Sequence, residues 1–454
     1  MNDLFNKINN PCITSEERLD ALKTWQNLNK SDRFKIGKGE INNHIHTIFS
    51  FSPYTPAMAA LRAKEAGLEA AGSVDHDSIA AADEMIQACA LLGIGGCCGF
   101  EVRVSFKKGA DGNPGRFADR KINNPDSEGF VYMTVQGIPK NAVCAAAEFL
   151  KPVREQRLKR TKAMTVSANI LLKEAGISEI DFEKDICGCS KYDEGGGVTD
   201  RHLLAAAAKK ITGKFGRGLQ LTQCLKSKIG ITVPVKIRPL LLQDDNPHYL
   251  YDLLGVLKTE FLPEIFIQPD ENECIPAEKV TSFAASINAI PAYAYLGDIA
   301  ESLTGDKRAE KFEDDYIDDL FDELSRLDYK AVTYMPPRNT PAQLEKVQQL
   351  CRKYKFMEIS GVDINTSRQS FNCPEVLKDQ YRHLVDTTWA LIAHERLSGI
   401  DSRFGLFSQD NPFASFELEK RLNIYSGLGK KFDLRHPDES AAESAVELIK
   451  GNYP

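Results

Sequence analysis

Two periods of apolar and polar residues take turns along this chain. Apolar runs at 39–47, 68–74, 93–106 and 130–137 read as strands. Between the first three, apolar residues recur at helical spacing over 56–66, stopping at Gly67, and over 79–92. Further strands are predicted at 230–238, 287–296, 331–335 and 356–363. Helices are predicted at 248–258, 276–285, 315–326 and 341–354. Residues 140–176 read as one or two long helices, 200–211 as another, and 374–398 as the helix that closes the alternating region. This alternation predicts βαβ units and a parallel sheet or barrel.

Three segments break the pattern. Residues 1–35 form a polar helical preface, with Thr14-Ser15-Glu16-Glu17 as a helix start. Residues 107–129 are dominated by Gly, Pro, Asn, Asp and charge, which predicts a surface loop able to act as a lid. Residues 400–454 read as a polar extension with no clear chemistry. The expected domains are therefore 1–35, a barrel over 36–399 carrying the 107–129 loop and a helical insertion around 140–230, and 400–454.

Composition narrows the classes. The chain has 454 residues, 42% hydrophobic and 27% charged, as in an ordinary globular protein. A net charge of -7 gives no global attraction to nucleic acid or to an anionic membrane, although a local basic groove stays open. No apolar run approaches the roughly 18–20 residues that span a bilayer. The N-terminus lacks a signal-peptide core. The eleven cysteines show no framework spacing and read as thiols in a reducing cytoplasm. Cys97-Cys98 and Cys187-Gly188-Cys189 lack the second pair that a zinc ribbon needs. The glycine-rich 213–218 is no P-loop, and no GxSxG or papain-type cysteine signature occurs.

The candidate chemistry lies where apolar runs end. His44 and His46 close the first, Asp75-His76-Asp77 the second, and Glu101 sits in the third. Asp363 ends the last in the same way. Side chains alternate along a strand, so His44 and His46 share a face and can ligate one ion. Asp75 and Asp77 can orient the His76 ring; alternatively, Asp77 caps the following helix. A carboxylate placed like Glu101 among apolar residues needs a cation, either a metal or an arginine. Scattered ligands at the same ends of parallel strands converge in space. Imidazole and carboxylate together suit zinc, manganese or iron. The residues thus read as a metal-dependent hydrolase.

The order HxH, DHD, a glycine-proximal Glu and a late Asp resembles the PHP (polymerase and histidinol phosphatase) family. Residues 56–68 resemble that family's first helix, Arg154, Arg157 and Arg160 its arginine-rich helix, and Arg201-His202-Leu203-Leu204-Ala205 its "RPHIA" motif. The resemblance implies a distorted (β/α)7 TIM-like barrel with helical extensions at both ends. It implies a first metal held by His44, His46, Glu101 and Asp363. Glu101 would bridge to a second metal that His202 also binds, and His76 would belong to a third position. One to three divalent ions (Mn, Zn or Fe) follow per chain. The chain departs from the family at Phe51, Tyr132, Tyr295 and Asn365, where further ligands are expected. Tyr295, Asp298 and Asn365 stand as weak replacement ligands, substrate contacts or structural groups.

The expected activity is phosphoester hydrolysis on a small phosphorylated molecule or nucleotide. Asp75 and His76 are the candidate catalytic groups, and Arg201 and Arg368 the candidate phosphate ligands. The basic run 151–162 either faces a nucleotide or is a solvated helix face. A metal-stabilised binding or regulatory module is the alternative, motivated by the swapped ligands. An exonuclease ranks third, since basic and aromatic residues are not interleaved. No membrane partner is expected, and the oligomeric state stays open.

Overall fold

The computed structural model describes residues 2–29, 38–108, 112–298 and 313–451. The junction at 35–36, residues 109–111 of the expected loop and the last three residues lie outside the described set.

Seven strands form one sheet in the order β1-β2-β3-β4-β5-β6-β7. They are β1 (Ile41–Ile45), β2 (Ala70–His76), β3 (Gly95–Ser105), β4 (Phe130–Gln136), β5 (Ile290–Ala294), β6 (Ala331–Tyr334) and β7 (Met357–Ser360). The sheet curls into a nearly closed barrel. At the seam His46 N–H donates to Ile364 O at 2.9 Å and Ile364 N–H to His44 O at 3.1 Å. Nearly every strand residue is buried, so the strands read as apolar runs rather than as clean alternation.

Two α-helices, α1 (Asn2–Ile8) and α2 (Ser15–Leu28), precede the barrel, and α3 (Pro56–Glu65) and α4 (Ala82–Leu92) cross over between its first three strands. Between β4 and β5 the chain makes a helical excursion: α5 (Val143–Glu174), α6 (Asp200–Phe215), α7 (Leu219–Cys224), α8 (Arg238–Leu242), α9 (Tyr249–Glu260), α10 (Leu262–Ile265) and α11 (Ala277–Ser286). It has its own apolar cluster around Leu203, Ile211, Leu253 and Leu257. Then follow α12 (Ile317–Arg326), α13 (Pro341–Tyr354), α14 (His383–Ile400), α15 (Leu418–Lys431) and α16 (Pro437–Ile449). Helix α12 shows why such segments fold: Ile317, Leu320, Phe321 and Leu324 recur at helical spacing and are all buried. Helix α13 starts at Pro341 behind a Thr340–Gln343 capping box.

Four expectations need correction. The sheet is not wholly parallel, because β4 runs antiparallel to both β3 and β5. Among the described residues of 106–129 there is no crossover helix, and the chain returns along the edge of β3. That connection is also no simple surface loop. Phe117, Ile122, Asn123 and Asn124 are buried, and Asn123 Nδ2 donates to both Tyr132 O and Ala294 O at 2.7 Å. Residues 230–238 form no strand: Pro234 has no N–H to offer a ladder, and Val235 is 87% exposed. The 400–454 extension is not merely polar, since Tyr425, Leu428, Ala441, Ala445 and Leu448 join the main core.

The N-terminal helices are pinned by charge as well as packing. Arg18 forms a buried fork on Glu84 at 2.6 and 2.9 Å, and Glu84 also accepts from Ala57 N–H. All eleven cysteines are free. Among the described residues, no helix is long and apolar enough to cross a membrane.

Candidate metal centre

The first strand is shaped to aim its histidines. Between Asn42 and Ile45 the register with β2 shifts, the mark of a bulge that re-aims side chains. Asn42 Oδ1 accepts from His44 N–H at 3.0 Å and Val362 N–H at 2.9 Å, while its Nδ2 donates to Val362 O at 3.0 Å. That amide staples β1 to the segment after β7, bringing His44 and His46 beside Asp363. Gly361 permits the approach: a Cβ there would lie 2.5 Å from the His44 Cβ.

Four elements now converge. His46 Nε2 lies 3.3 Å from His44 Nε2, 3.2 Å from Asp363 Oδ1 and 3.9 Å from Glu101 Oε2. His44 Nε2 is 4.0 Å from the same Glu101 oxygen, and His76 Nδ1 is 2.9 Å from it. Donors bound to one tetrahedral ion at about 2.0–2.1 Å stand roughly 3.4 Å apart, so the closest of these separations match a shared cation. Among the described residues, His44, His46 and Glu101 are the set whose ligand atoms all lie within 4.8 Å of one another.

The protonation states fit the same conclusion. Burial opposes ionisation of Glu101, but the imidazoles of His76, His44 and His46 outweigh it and hold the carboxyl at about 2. Burial likewise opposes charge on Asp363, and His46, His44 and Arg201 overcome it, so its carboxyl sits well below the usual range. His44 is pushed down by burial and favours the neutral ring that a metal requires. For His46, burial is outweighed by Asp363, Glu101 and Asp75, which raise it. Two ionised carboxylates facing clustered imidazoles form a donor set that a divalent cation satisfies.

Asp75 lies behind the donors. Its carboxylate accepts from Thr47 N–H at 2.7 Å, Thr47 Oγ at 2.6 Å and Ser50 Oγ at 2.5 Å, and Ser50 Oγ lies 3.2 Å from His46 Nδ1. The carboxylate thus reaches His46 through one hydroxyl. Asp77 does not cap α4, whose N-terminus has no side-chain cap; it faces Arg157 Nη1 at 2.8 Å. Phe51 adopts a left-handed φ of 83°, a strained backbone beside the cluster, and its ring stands 5.0 Å from that of His202.

The remaining predicted residues are dispersed. His202 is buried at the start of α6, where its Nδ1 accepts from Thr199 N–H at 3.1 Å, and burial pushes its pKa down to about 4. Arg201 Nη1 donates to Asn365 O at 3.4 Å, close enough to Asp363 to lower its pKa. Arg368 is held by Asp252, with Nε at 2.6 Å and Nη2 at 2.7 Å. Asn365 Nδ2 donates to Asp363 Oδ1 at 2.7 Å. The ring of Tyr132 stands 6.2 Å from that of His76. Tyr295 instead donates to Asp314, and Asp298 accepts from Glu313 N–H.

Sequence reasoning missed a second cluster beneath the rim. Arg103, Arg157 and Arg160 surround buried Glu273, so Arg157 and Arg160 do not lie on a solvated face. Arg103 could have been flagged, since it shares the strand face of Glu101 two residues on. Glu273 carries no local signal.

No family model matches the chain, and no curated protein matches it. Solved structures similar to this chain include the following two. One is an amidohydrolase from Chromobacterium violaceum with bound sulfate and no metal, at 17% identity and a TM-score of 0.48, covering 76% of this chain and 95% of that one. The other, from Bifidobacterium adolescentis, is assigned as a metal-dependent phosphoesterase, at 15% identity and a TM-score of 0.46, covering 77% of this chain and 97% of that one.

Proposed function

We propose that this protein is a metal-dependent hydrolase acting on a phosphoester of a small molecule or nucleotide. The observation that carries this reading is the convergence of His44, His46, Glu101 and Asp363, from β1, β3 and the segment after β7, with both carboxylates held ionised. These four residues would hold the cation, in keeping with the resemblance to the PHP family. A divalent cation there supplies Lewis acidity that brings the ionisation of a water near neutral pH and offsets charge on a phosphoryl group.

The protein's own groups do the rest. Glu101 holds the His76 ring through Nδ1, leaving Nε2 to hold or pass a proton at the partly open mouth. Arg201, beside Asp363, has guanidinium nitrogens to spare for phosphoryl oxygens. Arg368 is committed to Asp252 through Nε and Nη2, so a phosphate contact there would fall to its Nη1.

Asp75 is a positioning residue in this scheme. Asp75→Asn turns an acceptor of three hydrogen bonds into an amide that loosens Ser50 and His46. Manganese affinity, measured by calorimetry, is expected to fall about 10–100-fold, the usual cost of losing an outer-shell partner. Unchanged affinity would remove Asp75 from the site.

A second reading, a binding or regulatory module with little turnover, is favoured by one observation. Asn365 and Tyr132 stand beside Asp363 and His76 where the resemblance expects further ligands. Manganese-loaded protein assayed against a panel of phosphomonoesters and phosphodiesters separates the two. Phosphate release or diester cleavage that vanishes in His44→Ala is the expected result; ligand binding without turnover across the whole panel supports the module and sinks the hydrolase.

A further inference from the structure

A cavity of about 260 Å3 lies on the flank of the barrel, between α4, the start of α5, the end of α14 and the N-terminus of α16. It shares no residue with the cluster of His44, His46, His76, Glu101 and Asp363. One wall is apolar, formed by Ile86, Ala90, Ile138 and Val143. The space greatly exceeds the roughly 30 Å3 of one water.

The opposite wall carries charge that the fold does not fully use. Arg396 is only 7% exposed; its Nη2 donates to Gly96 O at 3.3 Å and lies 3.6 Å from Glu395 Oε1, but among the described residues its buried Nε has no hydrogen-bond partner. A buried donor left unmade is costly, and a ligand acceptor would recover that cost. Next to it Glu395 is 2% exposed, and its Oε2 accepts from Cys98 N–H at 2.8 Å, completing the β3 ladder where β4 has ended. Burial pushes the Glu395 carboxyl up to about 7, so near neutral pH it can present a proton as a donor. At the mouth, Asp438 of α16 lies 3.5 Å from Arg396 Nη1 and 3.1 Å from Lys140 Nζ, so these cations already accept one carboxylate. Asp438 itself is half exposed.

We propose that this cavity is a second ligand site, taking a small organic acid whose apolar body lies on the α4 wall and whose carboxylate meets Arg396 and Glu395. The site lies one strand segment from the metal centre: Cys98 precedes Glu101 by three residues on β3.

Benzoate, with benzamide as its uncharged counterpart, tests the assignment by calorimetry on the full chain. The expected result is saturable binding of one benzoate per chain, with benzamide weaker by about tenfold, the scale of one charge-assisted contact. Ala90→Trp fills the apolar wall without touching the buried ion pairs, and Arg396→Met removes the donor. Each is expected to weaken benzoate by about tenfold or more. A carboxylate can also bind a metal, so His44→Ala is the control and is expected to leave benzoate binding unchanged. Benzoate that fails to saturate, binds Ala90→Trp as well as the parent, or is lost in His44→Ala overturns the site. Equal binding of benzamide overturns the organic-acid assignment.

Discussion

Glu101→Gln is expected to reduce phosphoester hydrolysis by about a thousand-fold or more, equivalent to roughly 4 kcal/mol of barrier, and to release most bound manganese. The substitution keeps the shape of the side chain and one carbonyl oxygen for His76. It removes the negative charge on which three imidazoles converge, with His76 at 2.9, His46 at 3.9 and His44 at 4.0 Å. Those rings hold the carboxyl ionised to about 2, so the native protein presents a formal charge at every working pH and the variant at none. Of the four donor residues, only Asp363 would then offer charge, from a side chain 38% exposed at the mouth. Element analysis after dialysis and the rate under saturating manganese read the two effects separately. A variant that retains stoichiometric metal and parental activity would exclude Glu101 as a ligand.

Why this site could be read from the chain, and other parts could not, follows from what each feature needs. His44, His46, His76 and Glu101 each terminate or interrupt a run of apolar residues, and a polar group in that position demands a partner. Asp363 stood out for the same reason. Their convergence required only that β1, β2, β3 and β7 run parallel, which they do. Strand β4 is different: its apolar run reads the same in either direction, and only the lack of a crossover helix among the described residues of 106–129 fixes its sense. Residues 230–238 mimicked a strand because Ile231, Val233 and Val235 alternate; Pro234 was the contrary sign. Asp75 was legible as a residue but not as a contact, since its path to His46 runs through Ser50, in a turn with no periodicity. The 400–454 region looked polar because α15 and α16 each bury one face only, on a helix α14 that is itself buried nearly all round.

The cluster around Glu273 left no trace in the sequence because its partners lie 113 to 170 residues away, yet it dominates the second large effect. Glu273→Gln is expected to destabilise the protein by about 3–5 kcal/mol, read as a lower denaturant midpoint. One carboxylate answers three buried cations: Oε2 accepts from Arg160 Nε at 2.6 Å, while Oε1 accepts from Arg160 Nη2 at 3.0 Å, Arg157 Nε at 3.3 Å and Arg103 Nη2. Without its charge, the three guanidiniums confront one another with only Asp77, Asp200 and more distant groups to balance them. The loss is a large share of the roughly 5–15 kcal/mol that folded domains possess. Its pH dependence gives an internal check. Burial would raise the Glu273 carboxyl, but the arginines hold it at about 2 against an ordinary value of 4.5. The group is therefore deprotonated in the folded state where the unfolded chain already binds a proton. Its stabilisation is complete above 4.5 and fades as pH falls toward 2. Parent and Glu273→Gln should accordingly differ most near neutral pH and converge in acid, because protonation makes the parent resemble the variant. A gap that stays constant between neutral pH and pH 2 would mean the arginines do not draw their stability from this charge. The rim should register the same change: Arg157 also faces Asp77, next in sequence to His76, so the variant should bind manganese more weakly even where it remains folded.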